Sequence, residues 1–282
     1  MAASAVRRRR SALAAGVATL AMTLSLAAPA QAIDKYDYYV ALGDSYAAGV
    51  GAGAYVDSTC GRSANAYSEL ADDLKSVKVT TNVACGGATT EIVVNSQLGV
   101  LDWKTDLVTI TAGGNNLDFG TLAAACATAL VGYPASPECT AAATNAIIEG
   151  ENGQLAGEVG NMILSVHAAA PNARIVVTGY PYILEPLPAS QTDPTSFNAV
   201  ATRLINGLNG SIELAATTAA GTFGVDVTFV GVTEAFAGHG ALTQDPWINL
   251  DFTDPGSFLH PNAAGYRDGY LAALTAAGAY TP

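Results

Sequence analysis

The 282 residues carry 24 Asp and Glu against 12 Lys and Arg, a net charge of −12, and half of the residues are hydrophobic. Nucleic-acid phosphates and anionic lipid surfaces repel so acidic a chain, which argues against a nucleic-acid-binding protein and against charge-driven membrane attachment. The length and apolar content are those of a folded domain with a buried core.

Residues 1–32 have the three parts of a secretory signal peptide. Four arginines, Arg7 to Arg10, form a positive n-region, an apolar stretch runs from Ser11 to about Ala28, and Ala30-Gln31-Ala32 has the form of a cleavage site. A membrane anchor is the alternative, but the apolar stretch is short and is interrupted by Ser and Thr. We expect export by Sec or Tat and a secreted, extracellular domain over residues 33–282. We expect no membrane-spanning segment in that domain.

Five short runs rich in β-branched and apolar residues predict strands. They are Tyr38–Leu42, Val77–Val83, Asp106–Thr111, Arg174–Thr178 and Val225–Val230. Apolar residues on both sides of a strand are typical of parallel sheets, which are buried on both faces.

Four Ala-rich periodic segments alternate with these runs and predict helices over Ala64–Leu74, Ala141–Ala168, Phe197–Ala219 and Ala263–Ala277. Alternating strands and helices imply a parallel sheet covered by helices on both faces. The predicted fold class is therefore α/β, a three-layer α/β/α sandwich with a flavodoxin-like five-stranded parallel sheet.

Cys60, Cys85, Cys126 and Cys139 are the four cysteines of the chain. An even number of cysteines in an exported protein favours disulfides. Three pairings are possible, and pairing nearest neighbours along the chain closes the shortest loops. A metal site is the weaker alternative, because no Cys-x-x-Cys spacing is present and no histidine lies nearby.

Ser45 follows the first predicted strand in the run Gly43-Asp44-Ser45-Tyr46. The carboxyl ends of parallel strands are where α/β proteins place their chemistry. A serine hydroxyl is a weak nucleophile until a base removes its proton. The position is catalytic only if the chain also supplies a base and an oxyanion site.

Three further motifs supply those groups. Gly86-Gly87 follows the second predicted strand and allows a ligand to approach the backbone N–H closely. Asn115, after the third strand, can direct an amide N–H at developing negative charge. His260 lies just before the last predicted helix, which Asn262 would cap.

Together these motifs resemble the SGNH hydrolases, also called the GDSL esterase/lipase family, over nearly all of residues 33–282. The secreted actinobacterial branch is the most similar, through Gly-Asp-Ser-Tyr, Cys-Gly-Gly-Ala-Thr-Thr, Gly-Gly-Asn-Asn, Trp247-Ile248-Asn249 and His-Pro-Asn-x-x-Gly-Tyr. That branch carries cysteines at the positions of Cys60 and Cys85, which supports pairing them. The resemblance implies a three-layer fold and hydrolysis of carboxylic esters without a metal or other cofactor.

By the same resemblance Ser45 is the nucleophile and His260 the base. The N–H groups of Ser45 and Gly87, with the side chain of Asn115, would form the oxyanion hole. His260 would take the serine proton, protonate the leaving alcohol and then activate water against the acyl-enzyme. The expected substrate is a small-molecule or lipid ester, with fatty acyl groups favoured by the apolar segment Val50–Val56, and the expected state is a monomer.

The sequence departs from the family pattern at two positions. Ser257 stands where an Asp usually orients the histidine, so we expect the backbone carbonyl of Ser257 to do this, with Asp254 or Asp251 as the alternative. Asn116 stands where many members have Asp, and we expect it to support the loop beside Asn115.

Competing interpretations are few. His167 and His239 are the other histidines, and we expect neither to be the base. A phospholipase, an acyltransferase or a carbohydrate deacetylase could use the same residues. A non-catalytic binding protein would require a disrupted site.

Overall fold

A five-stranded parallel sheet organises the part of the chain that the computed structural model describes, residues 35–78, 80–188, 190, 193 and 195–282. The predicted signal peptide lies outside these residues. The strands are β1 (Tyr39–Gly43), β2 (Tyr55–Asp57), β3 (Arg62–Ser63), β4 (Thr80–Asn82), β5 (Leu107–Thr111), β6 (Arg174–Thr178) and β7 (Val227–Val230).

The α-helices lie between and after these strands. They are α1 (Ser45–Ala48), α2 (Tyr67–Leu70), α3 (Thr90–Ser96), α4 (Phe119–Leu130), α5 (Pro137–Glu151), α6 (Gln154–Ala169), α7 (Phe197–Phe223) and α8 (Ala272–Ala276). Helix α8 continues a π-helical segment, Gly265–Leu271. Short 3₁₀ turns cover Ala71–Asp73, Leu98–Val100 and Gly114–Leu117. Within the described residues, no helix combines the length and the apolar character needed to cross a membrane.

The strand order of the large sheet is β4-β1-β5-β6-β7, with every pairing parallel. Counted along the chain within this sheet, the order is the flavodoxin-like 2-1-3-4-5, so the predicted fold class is confirmed. The order reverses between β1 and β5. Crevices at such a switch point, outside the carboxyl ends of the strands, are where open α/β sheets bind ligands.

The central strands are apolar because both of their faces are buried. All five residues of β1 and all five of β5 are buried, and the two strands pair from Tyr39 with Leu107 to Gly43 with Thr111. The predicted run Val77–Val83 is shorter as a strand, since Val77 makes only an isolated bridge to Tyr36 before β4 begins.

Helices form the two outer layers. On one side α2 packs with the π-helical segment, and on the other α6 packs with α3 and α7. The helix expected over Ala141–Ala168 is in fact two helices, α5 and α6. Gly153 has φ +86° between them, a left-handed conformation that ends one helix before the next begins. Helix α4 was not predicted.

Both expected disulfides are present. Cys60 bonds to Cys85 and Cys126 bonds to Cys139, so no free thiol remains in the described residues for a cysteine metal site. The first disulfide ties the loop that contains the β2–β3 hairpin to the segment after β4. The second joins α4 to α5.

Candidate active site

Ser45 lies at the carboxyl end of β1, directly after a sharp turn. Gly43 has φ +129°, and a Cβ atom there would lie 2.1 Å from the carbonyl oxygen of Thr111, so only glycine fits between β1 and β5. Asp44 caps the short helix α1 by accepting a hydrogen bond from the N–H of Tyr46 at 2.9 Å. The turn therefore leaves Ser45 partly exposed at the switch point, while Asp44 beside it is buried.

His260 meets Ser45 across 215 residues of sequence. Its Nε2 atom lies 2.7 Å from the Oγ atom of Ser45, and its Nδ1 atom lies 2.9 Å from the carbonyl oxygen of Phe258. A carbonyl can only accept, so Nδ1 carries the proton and the unprotonated Nε2 accepts from the serine hydroxyl. This is the arrangement in which an imidazole acts as a general base toward a hydroxyl.

The acceptor for Nδ1 is one residue later than the sequence suggested. The carbonyl of Ser257 accepts the backbone N–H of His260 at 3.0 Å and so closes the turn, whereas the ring bonds to the carbonyl of Phe258. Leu259 has φ +61°, a left-handed conformation uncommon for leucine, where the chain bends back toward the ring. Neither alternative carboxylate, that of Asp251 or that of Asp254, bonds to the ring, and that of Asp251 accepts hydrogen bonds from Thr253 instead.

Burial keeps His260 neutral. Loss of solvent lowers the pKa of its ring to about 4, and the carbonyls of Phe258 and Ser257 offset only part of that effect. The side chain of Tyr46 lies beside the ring, and its hydroxyl donates to the carbonyl of Leu259 at 2.7 Å. Asn249 donates to the carbonyl of His260 at 3.1 Å.

Two further loops bring hydrogen-bond donors to the same place. Gly87 has φ +80°, and a Cβ atom there would meet no atom within 4 Å, so its backbone is open to the site. Asn115 donates from Nδ2 to the carbonyl of Ala88 at 3.1 Å, and an amide nitrogen carries a second hydrogen. The N–H of Gly86 is already used, since it donates to the carbonyl of Cys60 at 2.9 Å.

These groups share one cavity of about 540 Å³. Ser45, Gly87, Asn115 and His260 all line it. Beyond them the walls are mostly apolar, from Phe119 and a series of small residues on α4, from Ile205 and Leu208 on α7, and from Phe252 and Phe258 on the loop before His260. A serine and a base thus lie on the wall of an apolar pocket of ligand size.

The GDSL-like lipase/acylhydrolase family model matches residues 41–267. The chain belongs to that family. As a GDSL hydrolase it is an ester hydrolase.

Lipases and a phospholipase of Streptomyces are among the proteins similar to this GDSL hydrolase. Lipase 1 of Streptomyces coelicolor is 36% identical over 94% of each chain. The crystal structure of phospholipase A1 from Streptomyces albidoflavus has a TM-score of 0.71 at 30% identity, covering 86% of this chain and 99% of that one. The extracellular lipase of Streptomyces rimosus has a TM-score of 0.70 at 30% identity, with the same coverage.

Asn116 supports the loops that carry the donors of this GDSL hydrolase. Its Oδ1 atom accepts from the N–H of Thr90 at 3.0 Å, and its Nδ2 atom donates at 2.7 Å both to the hydroxyl of Thr90 and to the carboxylate of Glu158. An aspartate could not donate to Glu158, which accounts for an amide at this position.

Two residues outside the sequence motifs, Gln97 and Tyr180, form hydrogen bonds to the turns of the site. Gln97 bonds to both backbone groups of Gly43 at 2.8 Å, and Tyr180 bonds to Asp44 and Gly114. They lie 54 and 136 residues from the turn that they contact, so no local pattern could reveal them.

The competing histidines lie elsewhere. His167 is on α6, and His239 stacks on Trp247 with the ring centroids 3.6 Å apart. Neither lines the cavity that contains Ser45. Trp247 is engaged by His239 and by an edge contact to Phe236, and it does not line that cavity either.

Proposed function

We propose that this GDSL hydrolase is a secreted enzyme that cleaves fatty acyl esters through an acyl-enzyme on Ser45, with His260 as the base. The observation that carries the proposal is the 2.7 Å contact between Nε2 of His260 and Oγ of Ser45 on the wall of an apolar cavity. A hydroxyl bonded to an unprotonated imidazole is ready to attack a carbonyl carbon placed beside it.

The steps follow from these positions. Oγ of Ser45 forms a bond to the ester carbon while its proton moves to Nε2 of His260, and the carbonyl oxygen becomes an oxyanion. The N–H groups of Ser45 and Gly87 and the amide of Asn115 stabilise that charge. His260 returns the proton to the departing alkoxide, which leaves as the alcohol. Water, deprotonated by His260, then releases the acid and restores the serine.

The carbonyl of Phe258 takes the place of a carboxylate in this scheme. It holds the Nδ1–H tautomer and accepts a hydrogen bond from the imidazolium that forms during each step. Because a carbonyl is neutral, burial dominates and the resting ring has a pKa of about 4.

The walls of the cavity favour an acyl chain over a sugar. Phe119, Ile205, Leu208 and Phe258 offer apolar contacts and no side-chain hydrogen-bond donor or acceptor. Each methylene that leaves water for such walls contributes about 0.8 kcal/mol.

A phospholipid is the second candidate substrate, because a protein of similar fold at 30% identity is a phospholipase A1. Its acyl chain could occupy the same cavity.

Export is supported by the two disulfides and by the resemblance of residues 1–32 to a signal peptide. We propose that the exported form is a monomer beginning at Ile33, which the intact mass and size-exclusion profile of protein from culture medium would test.

The main test compares wild type with Ser45→Ala on a panel of p-nitrophenyl esters of increasing chain length, a triacylglycerol, phosphatidylcholine and acetylated xylan. We expect Ser45→Ala to lower turnover of every accepted substrate by about 10³-fold or more. The control is Ser165→Ala, on the outer helix α6, which should match wild type.

Wild-type turnover by folded Ser45→Ala would overturn the mechanism. Preference for phosphatidylcholine over the triacylglycerol would favour the phospholipase, and preference for acetylated xylan would exclude the fatty acyl assignment. An alkylphosphonate probe should label wild type and Ser165→Ala but not Ser45→Ala.

A further inference from the structure

Tyr180 connects two turns that carry groups of the active site. It lies two residues after β6, and its hydroxyl donates to the carboxylate of Asp44 and accepts from the N–H of Gly114 at 3.1 Å. Asp44 immediately precedes Ser45, and Gly114 immediately precedes Asn115. One phenol oxygen thus bonds to the turn of the nucleophile and to the turn of the oxyanion donor.

Few backbone hydrogen bonds join the two turns directly, and Gln97 holds only the β1 side, at Gly43. The register between β1 and β5 ends at the pair Gly43 and Thr111, followed by one bond from the N–H of Asp44 to the carbonyl of Thr111 at 2.9 Å. Beyond that bond, the segments that follow β1 and β5 share no backbone hydrogen bond in the described residues. The hydroxyl of Tyr180 joins them where the sheet no longer does.

Tyr180 is itself held firmly. It is 4% exposed, and Asn209 on α7 bonds to both of its backbone groups, at 2.8 Å to the N–H and 2.9 Å to the carbonyl. The ring of Tyr46 packs edge-on against the Tyr180 ring at 5.0 Å. Because a side chain packed this tightly cannot shift, it fixes the positions of the groups that it bonds to.

We propose that Tyr180 is a positioning residue for ester hydrolysis: its hydroxyl sets the separation between Ser45 and Asn115. The inference rests on the proposed function, since it gives those two residues their roles. The oxyanion forms between the attacking oxygen and the Asn115 amide, and displacement of reacting groups by about 1 Å can cost about 10²-fold in rate.

A packing role is the competing explanation, and removal of the hydroxyl alone separates the two. Tyr180→Phe keeps the ring and its contact with Tyr46. It leaves the N–H of Gly114 without its acceptor and the carboxylate of Asp44 without one donor. The two turns can then move relative to each other while the core stays filled.

The first experiment measures kcat and KM of Tyr180→Phe on p-nitrophenyl butyrate, with kcat expressed per phosphonate-reactive site. We expect kcat to fall about 10- to 100-fold while KM stays within about threefold of wild type. The matched control is Tyr182→Phe, whose hydroxyl bonds to Asn206 at 2.6 Å away from the site, and it should stay within about twofold of wild type.

The second experiment is a double-mutant cycle with Asn115→Ala. If Tyr180 acts by aligning Asn115 with Ser45, its loss matters less once the Asn115 amide is gone. The factor by which Tyr180→Phe lowers kcat should then be smaller in the Asn115→Ala background than in wild type, by about threefold or more. Fully additive effects would overturn the proposal, and so would kcat of Tyr180→Phe equal to that of Tyr182→Phe.

If Tyr180→Phe yields too little folded protein, Asn209→Ala provides a second test. It loosens the backbone of Tyr180 but keeps the hydroxyl, so kcat should fall by a smaller factor with KM unchanged, and an unchanged kcat would overturn the proposal. These outcomes are distinct from failure of the proposed function, because that failure would appear as wild-type activity in Ser45→Ala.

Discussion

His260 shows at the scale of one residue how an imidazole can be held neutral and in one tautomer without a carboxylate partner. The Phe258 carbonyl fixes the tautomer, and burial disfavours the charged ring. A carboxylate at Nδ1 would favour the imidazolium and raise the pKa of the ring. Here the pKa is lowered from 6.5 to about 4, so the ring stays unprotonated in mildly acidic solution.

We therefore expect the acid limb of kcat/KM to lie near pH 4. In the proposed mechanism the neutral ring is the active form, so activity should be lost as the pH falls through the pKa of His260 in the folded enzyme. The measurement is the rate of p-nitrophenyl butyrate hydrolysis from pH 3 to 8, with folding checked by circular dichroism at each pH. His239→Gln serves as the control and should leave the profile unchanged.

Asp44 could add a second acid limb to the pH profile of kcat/KM, because burial raises the pKa of its carboxyl group to about 7. Asp44→Asn identifies it, since a limb that belongs to Asp44 disappears in that variant. An acid limb near pH 6.5 that persists in Asp44→Asn would contradict the role of burial at His260.

The turn between β1 and α1 is the structural element that places Ser45 at the carboxyl end of the sheet. Gly43 brings the end of β1 against Thr111 of β5, and Gln97 bonds to both of its backbone groups. The close approach leaves Ser45 and the Asn115 turn on neighbouring strands at the switch point.

Gly43→Ala should destabilise the protein by about 3 kcal/mol or more, because the added Cβ would overlap the carbonyl oxygen of Thr111. The control is Gly53→Ala, where φ is +66° but nothing lies within 4 Å of the new Cβ. Conformational strain alone should cost that variant about 1–2 kcal/mol. Urea unfolding measures both, and equal losses would show that strain, not the contact with Thr111, makes glycine necessary.

His260 and Asp44 have opposite effects on how the stability of the molecule changes with pH. The pKa of His260 is lowered from 6.5 to about 4, so its contribution to stability is lost as the pH falls from 6.5 toward 4. The pKa of Asp44 is raised from 3.8 to about 7, so its contribution is present at low pH and is lost as the pH rises from 3.8 toward 7. Between pH 4 and 6.5 the two effects oppose each other.

Asp44→Asn should reveal this balance. The variant lacks the loss of stability that ionisation of Asp44 causes as the pH rises. His260 and the surface carboxylates are present in both proteins, so their effects cancel in the difference. The free energy of unfolding of Asp44→Asn minus that of wild type should therefore rise by about 2 kcal/mol between pH 4.5 and 6.5. Urea titrations at the two pH values measure it, and a difference that does not change with pH would contradict a protonated Asp44 in the folded state.

Local patterns in the sequence determined the strands of this protein and the positions of the site residues that follow them. Five apolar runs predicted the sheet, because strands buried on both faces require apolar residues throughout. Glycine and polar residues directly after those runs predicted where Ser45, Gly87 and Asn115 would lie, since carboxyl ends of parallel strands share one edge.

Only the tertiary structure decided what joins those parts. The bond from His260 to the carbonyl of Phe258 depends on the left-handed backbone of Leu259, and leucine gives no local signal for that conformation. The contacts of Tyr180 and Gln97 with the Ser45 turn arise from packing between segments that are far apart along the chain. Periodicity is a property of neighbouring residues, whereas such contacts depend on how separate elements meet across the sheet.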